Sequence, residues 1–441
     1  MQRLISLTDR PNPPYSLTSM RWRIPRVLLA LGVAVCAGSP IVKAQTWETV
    51  DDIDSPAAFA AGVVSDSAGN VFVAGSIKDA TGNSHATVMK SNDQGGTWVT
   101  LDYVAAATNS WTIRGIVSAR IAIGENTFEN HLVTASLSGG NKWLIRRSVN
   151  AGATWATLDI YMNPNPQYVL ESPPSLALDG KGNIFAVGVA TETTIITIKG
   201  KTTITKAYHP LLRKFEGGVW RTITTSLGVG QIVCSGNNVF GLGGTGDSWQ
   251  VRKSTDGGDT WNLVDTFRYD MSGTTRQYDI AADSQGNLFV VGMGTRVTSS
   301  GSRRTATTLT EQFWLVREGT GSGTVWTTVD VYDLGRPVFD GGGGNFYGAY
   351  NLATSLTVDS YDNVHVTGYG VGTQNLRRWI TRNLSSGTGL WTTTDDFSLG
   401  AGNTAEGWGI AADPFGNMFA TGRGGNSSVY HGWLVRRKLV P

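Results

Sequence analysis

The sequence predicts an all-β chain made of repeated four-stranded units, and three recurring features predict it. Seven tryptophans share one local context: Trp47, Trp98, Trp155, Trp220, Trp261, Trp326 and Trp391. Most are followed three or four residues later by an aspartate, as in Trp98-Val-Thr-Leu-Asp102 and Trp261-Asn-Leu-Val-Asp265. Three of them close a turn signature: Ser91-x-Asp93-x-Gly95-x-Thr97-Trp98, Ser148-x-Asn150-x-Gly152-x-Thr154-Trp155 and Ser254-x-Asp256-x-Gly258-x-Thr260-Trp261. A second motif alternates with these turns. It reads Asp66-x-x-Gly-Asn70-Val-Phe-Val-Ala-Gly75 and recurs from Asp179, Asp283, Asp359 and Asp413. The third feature is another column of tryptophan, Trp143, Trp249, Trp314, Trp379 and Trp433, each heading a segment such as Trp314-Leu-Val-Arg317.

Each strand of the unit follows from these features in order. Gly-Asn between alternating apolar residues makes a tight hairpin turn, because both residue types tolerate positive φ. A first strand therefore ends at the aspartate, and a second carries Phe-Val-x-Gly. The third strand starts at the second tryptophan column. The Ser-x-Asp-x-Gly-x-Thr-Trp turn then leads to the fourth. Four antiparallel strands make one blade of a β-propeller. The last repeat stops after its third strand, at Trp433-Leu-Val-Arg-Arg-Lys-Leu-Val-Pro441. Trp47-Glu-Thr-Val-Asp51 supplies the missing fourth. The expectation is a single seven-bladed β-propeller over residues 45–441, its ring closed by the N-terminal strand completing the last blade.

The Ser-x-Asp-x-Gly-x-Thr-Trp turns resemble the Asp-boxes (BNR-type repeats) of the sialidase superfamily. The Asp-x-x-Gly-Asn-x-Phe-Val-x-Gly segments resemble the seven-bladed propeller repeat of secreted bacterial proteins. Together the patterns span Trp47 to Pro441, with degenerate first motifs near Asn126 and over Cys234 to Asn238. The resemblance implies a propeller fold. In sialidases the Asp-box is structural and lies on the face opposite the active site, and those rings resemble six blades rather than seven. Fold likeness does not supply an activity.

Composition narrows the setting. The 441 residues are 40% hydrophobic and 16% charged, with 56 glycines and a formal net charge of +2. That balance gives no reason to expect nucleic acid or an anionic membrane as partner. Arg21, Arg23 and Arg26 precede the apolar run from Val27 to Ala37, and Val42-Lys43-Ala44 precedes Gln45. This is the order of a secretory signal over residues 1–44, with Met20 a possible true start. The run is too short to span a bilayer, so the mature chain is expected to be secreted or periplasmic, with no integral membrane segment. Val35 does not suit a lipobox at Cys36, which leaves Cys234 as the mature chain's sole, inert thiol.

Candidate chemistry sits on the face of the second-to-third and fourth-to-first connections, where loop length varies. Two insertions there read as hairpin arms. One runs from Glu192 to Lys206 around Lys199-Gly200, the other from Thr295 to Thr305. Lys199, Lys201, Lys206, Arg296, Arg303 and Arg304 would make them basic walls of a cleft for an anionic polymer such as a uronate or sialylated glycan. Aligning the first strands places Gly62, Gly115, Ser175, Gly230, Asp279, Ser355 and Gly409 in one column around an axial channel. Asp279 is the outlier. With Tyr278, Glu171 or Glu406 it is the candidate catalytic set, since glycoside hydrolysis needs two acids, or a tyrosine and an acid, across a pocket. Arg114, Arg276 and Trp408 are candidate ligand-binding residues at the same mouth. The recurring Arg146, Arg252, Arg317, Arg382 and Arg436 read as structural, and no metal site or cofactor is expected. The expected function is recognition of a glycan or protein ligand by a monomer. A glycosidase or polysaccharide lyase centred on Asp279, or an assembly scaffold, are the alternatives.

Overall fold

In the computed structural model the described residues are 46–53, 58–104, 111–139, 141–198, 201–223, 228–245, 247–301, 306–342, 345–426 and 430–440. They are mostly β-strand, in sheets that are antiparallel and built from strands consecutive in sequence, except for one parallel pair and for the N-terminal strand, which joins the last unit. The first unit comprises Ala58–Ser65, Val71–Lys78, Ser84–Ser91 and Val99–Val104. The second follows with Trp111–Gly124, Thr127–Ser138, Lys142–Ser148 and Ala156–Tyr161. In the third, Ser175–Leu178 and the short Tyr168–Leu170 both pair with Ile184–Ile198, which continues to Lys201–Glu216 and Val219–Ile223. The fourth is Val229–Ser235, Asn238–Thr245, Ser248–Ser254 and Asn262–Phe267. The fifth is Thr275–Ala282, Leu288–Ser300, Thr307–Gly319 and Val325–Tyr332. The sixth is Asn345–Val358, Val364–Val371, Arg377–Leu384 and Trp391–Phe397. The last joins Thr404–Ala412, Met418–Gly425 and Tyr430–Lys438 to the N-terminal strand Glu48–Ile53. First strands of successive units touch one another, and Thr404–Ala412 touches Ala58–Ser65.

The recurring aspartates act within their turns. Asp66 accepts from the backbone N–H of Ala68 and Asn70 and from the Asn70 side chain, at 2.9, 3.0 and 2.7 Å. The same bonds to the fourth residue recur at Asp179, Asp283, Asp359 and Asp413. At the tryptophan turns, Ser91 Oγ accepts from Gly95 N at 2.7 Å, and Asp93 accepts from Thr97 N and Oγ1 at 2.8 Å each. These bonds hold the Asp93 carboxyl down at about 2. His365, which replaces the usual Phe, is satisfied by Asp359 at 2.9 Å.

Packing between units explains the rest of the repeat. Trp143, Trp249, Trp314, Trp379 and Trp433 are fully buried. Each covers the second-strand glycine of the following unit. A Cβ at Gly292 would stand 2.7 Å from the Trp249 ring, and one at Gly422 2.6 Å from Trp379. The carbonyls of Arg276 and Glu406 on the paired first strands would be closer still, at 2.1 Å each, so backbone and indole together require glycine. The arginine column clamps the same junctions. Arg146 grips Asp102 at 2.8 and 2.9 Å, Arg317 grips Asp265 at 3.3 and 3.0 Å, and Arg382 grips Asp330 at 2.8 and 3.0 Å. Arg213 with Asp159 and Arg436 with Asp395 repeat the pattern. Each aspartate lies four residues beyond a first-column tryptophan, on the fourth strand of the preceding unit. Each arginine also donates to a threonine of its own unit's fourth strand.

Candidate functional site

The first strands line a cavity of about 640 Å³, and Gly62, Gly115, Ser175, Gly230, Asp279, Ser355 and Gly409 all contribute to its wall. Close approach of the strands keeps the column small. A Cβ at Gly409 would meet Thr421 Oγ1 at 2.7 Å and Gly62 Cα at 3.2 Å. Pairing registers correct one member. Registers shift between Ala60 and Gly62, Ile113 and Gly115, Gln277 and Asp279, Ala353 and Ser355, and Gly407 and Gly409. In the fourth unit the shift falls between Val229 and Gln231, so Gly230 is the skipped residue and Gln231 occupies the column.

That shift is a β-bulge, and it decides which candidate residues meet. The unpaired bulge residue is re-aimed relative to its neighbours. Tyr278 and Trp408 are bulge residues, and both line the same cavity as Asp279. Arg114 is also at a bulge, but its side chain lies outside the described residues. Alternation alone would have put Tyr278 and Trp408 elsewhere; the repeated small-residue column was the only sequence signal for the bulge.

Asp279 is fully engaged. Its Oδ2 accepts from Ser355 Oγ at 2.9 Å and Leu356 N at 3.1 Å, and its Oδ1 from Ile280 N at 2.9 Å. It thereby ties the first strand of the fifth unit to that of the sixth. Although water reaches it from the cavity, it lies deep in protein, and burial pushes its carboxyl up to about 6 against the pull of those hydrogen bonds.

Glu406 does not line this cavity. It is buried, accepting from Arg377 at Oε1 and from Arg423 at Oε2 at 2.9 and 2.8 Å. Both guanidiniums remain about one-third exposed and lie against aromatic rings, Arg423 5.1 Å from Trp408 and Arg377 5.0 Å from Tyr369. Tyr369 packs between Trp408 and Tyr350, at 6.4 and 6.3 Å between centroids, and Tyr278 joins the same apolar cluster. Trp408 Nε1 is buried without a hydrogen-bond partner among the described residues. Sequence reading named Trp408, Tyr278 and Glu406 but missed Arg377, Arg423, Tyr350 and Tyr369, whose strand positions carry no repeat signature.

The other described candidates do not line the cavity. Arg276 is exposed and lines a second recess of about 300 Å³ with Gly244, Ser248, Thr275, Gln277 and Tyr278. Glu171 is exposed at the foot of the third unit's long hairpin, 4.0 Å from Lys206 Nζ. The two arms are formed as long hairpins of the third and fifth units, and Arg296 is paired with Glu311 at 2.6 Å. Lys199, Arg303 and Arg304, as well as the Lys201 side chain, lie outside the described residues. Of the glycine run after Asp340, Gly341 and Gly342 lie in Phe339–Gly342, which pairs with Asn345–Val358, and the latter also runs parallel to Thr307–Gly319. Among the described residues there is no cluster of metal-ligating side chains and no helix long and apolar enough to cross a membrane. Burial raises the Cys234 thiol to about 12, which keeps it protonated at neutral pH.

No family model and no curated protein matches the chain. Among solved structures, it is similar to a protein of unknown function from Dyadobacter fermentans, at 10% identity over 90% of this chain and 99% of that one, with a TM-score of 0.42. A GH93 alpha-L-arabinofuranosidase of Fusarium graminearum, in complex with arabinobiose, is 13% identical over 89% of this chain and 97% of that one, TM-score 0.42. The NanB sialidase from Streptococcus pneumoniae is 10% identical over 88% and 70%, TM-score 0.40. Likeness of this degree carries no argument about what this chain does.

Proposed function

We propose that this chain, exported and trimmed to begin at Gln45, is a single seven-bladed β-propeller that binds a saccharide beside Trp408. The propeller reading is supported by the succession of four-stranded antiparallel units, by first strands that touch in order from Ala58–Ser65 round to Thr404–Ala412, and by the cavity they enclose. The binding reading rests on one observation. Trp408 is half-buried at the cavity, its indole N–H lacks a partner among the described residues, the partly exposed Arg423 lies against its ring, and Arg377, bound to the same Glu406, lies against the neighbouring Tyr369. A tryptophan face takes the apolar face of a sugar ring, and fixed donors beside it take hydroxyl or carboxylate oxygens. Two guanidiniums around one carboxylate leave a positive balance, which favours an anionic saccharide.

Catalysis is the second reading, and Asp279 favours it, because a carboxyl pushed up to about 6 inside a cavity can hold a proton near neutrality. Against it, Asp279 is the sole carboxyl among the described cavity-lining residues, whereas glycoside hydrolysis ordinarily needs two. A glycan array and a polysaccharide depolymerisation screen on the chain from Gln45 separate the two readings. Binding without turnover, weakened tenfold or more by Trp408→Ala (about 1.4 kcal/mol) and unchanged by Asp279→Asn, is the expected result. Turnover abolished by Asp279→Asn would replace recognition with catalysis. A Trp408→Ala variant that folds and binds every glycan like the parent would remove the site.

A further inference from the structure

The recess lined by Arg276 opens at the same end of the first strands as the Trp408 site. Arg276 and Glu406 hold one register position, each a residue ahead of the pair made with the second-strand glycine, Gln277 with Gly292 and Gly407 with Gly422. The recess, about 300 Å³, lies where the fourth unit's hairpin is short. Thr245 and Ser248 are the last pair of that hairpin, whereas the fifth unit's runs on to Ser300 and Thr307. Tyr278 lines both this recess and the cavity that Trp408 lines.

Aromatic rings connect the two places. Tyr369 lies 6.4 Å from Trp408 and 6.3 Å from Tyr350, and Tyr278 packs on the cluster that holds Tyr369. Cations stand at both ends of this strip. Arg423 and Arg377 share Glu406 at one end. At the other, Arg276 is exposed, and its guanidinium has no hydrogen bond or ion pair among the described residues, whereas Arg268 and Arg296 are matched by Asp247 and Glu311. Burial pushes the Tyr278 phenol up while the Arg276 charge pulls it down, which sets the guanidinium beside the phenol. We propose that the strip binds a chain of uronic acid units, one unit seated at Trp408 and a later one reaching Arg276. Aromatic faces take the apolar faces of sugar rings, and guanidiniums grip carboxylates. An acid on one terminal sugar satisfies one end of the strip; a carboxylate on every unit meets both. This rests on the reading of Trp408 as a sugar platform and adds the class and the extent of the ligand.

Calorimetric titration of the chain from Gln45 with dimers and hexamers of galacturonate and of alginate tests this, with sialyllactose as the single-acid comparison and thermal melts to confirm folding. The expected result is a hexamer of one series bound roughly tenfold tighter than its dimer, the worth of one charge-assisted contact. Arg276→Gln should bring the hexamer-to-dimer ratio close to one and flatten the salt dependence of hexamer binding. Trp408→Ala should weaken both lengths alike. A chain that binds neither series, one that binds sialyllactose as tightly as the hexamers, or a length ratio unaltered by Arg276→Gln overturns the proposal. Trp408→Ala without effect on either length is the failure of the platform itself. Both lengths weakened by Trp408→Ala, with the ratio untouched by Arg276→Gln, leaves the platform standing and removes the strip.

Discussion

Asp279 carries a carboxyl in a column otherwise filled at most positions by glycine or serine, and its hydrogen bonds from Ser355 and Leu356 join two neighbouring first strands. Burial nevertheless costs the charged form more than those bonds return, so its pKa rises from 3.8 to about 6. The direction is the reverse of the usual carboxylate. Between 3.8 and 6 the folded chain holds a proton that the unfolded chain has released, so this group's contribution to stability falls as pH rises through that window. Below 3.8 both states are protonated and nothing is lost; above 6 the full cost of the buried charge is present. Asp279→Asn keeps an acceptor for Ser355 or Leu356 without the charge. Its expected effect is a gain at pH 7 of at most about 3 kcal/mol, at about 1.4 kcal/mol per pKa unit. The gain should shrink towards zero at pH 4. Paired denaturation curves at the two pH values read the difference, and a variant less stable than the parent at pH 7 would show that the charge itself holds the strands together.

At the scale of the strands, the arginine column has a clear division of labour. Arg317 is buried against Asp265, donates to Thr328 and lies 4.0 Å from the Phe267 ring. Arg252 holds the equivalent position in the fourth unit, but its guanidinium reaches Gln250, and by sequence Thr224 stands where the aspartate recurs. Burial pushes the Asp265 carboxyl up even though Arg317 pulls it down, so removing the arginine strands an acid that is already poorly solvated. Arg317→Ala should therefore cost about 3 kcal/mol, whereas Arg252→Ala should cost about 1 kcal/mol or less, both by urea denaturation. Equal losses would mean that packing, not the ion pair, sets the role of the column. The recurrence of arginine was legible in the sequence because it repeats at one offset from tryptophan. Its partner was legible only in part: the aspartates were visible, but nothing local says that they reach across to the next unit. Turn chemistry was the most legible level, since Asp66 and Asp93 bond within four residues of themselves. The candidate site was the least. Tyr278 and Trp408 were found through the small-residue column, while Arg377 and Arg423 meet Glu406 across 29 and 17 residues, a convergence with no periodic trace.

At the scale of the whole molecule, the strand Glu48–Ile53 completes the last unit from the far side of the sequence. The strand Glu48–Ile53 is the outer edge of the last sheet, and apart from Tyr430–Lys438 it has no strand to pair with among the described residues. Its side chains make the joint specific. Asp51 accepts from Trp433 Nε1 at 2.9 Å, Asp52 sits 2.7 Å from His431 Nδ1, Glu48 accepts from Arg437 at 2.7 Å, and Thr49 accepts from Arg436 at 3.2 Å. This joint also lacks the arginine clamp. Asp51 stands in the aspartate column, but Met89 occupies the position opposite it in the first unit, so burial raises the Asp51 carboxyl with only Trp433 and the backbone to offset it. The last unit thus depends on a strand that is far away in sequence, and two of its four side-chain contacts, Asp52 with His431 and Glu48 with Arg437, are exposed pairs that are individually weak. Removing residues 46–53 bares the backbone edge of Tyr430–Lys438 and uncovers Trp433 and Val435 of the core that Val50 and Ile53 cover. The expected outcome is a loss of at least about 4 kcal/mol, beyond the range of most single substitutions, together with association through the bared edge. A synthetic peptide of residues 46–53 should restore both the melting temperature and the monodisperse state when added in excess. A truncated chain that melts like the parent, with no response to the peptide, would show that the remaining three strands close the molecule by themselves.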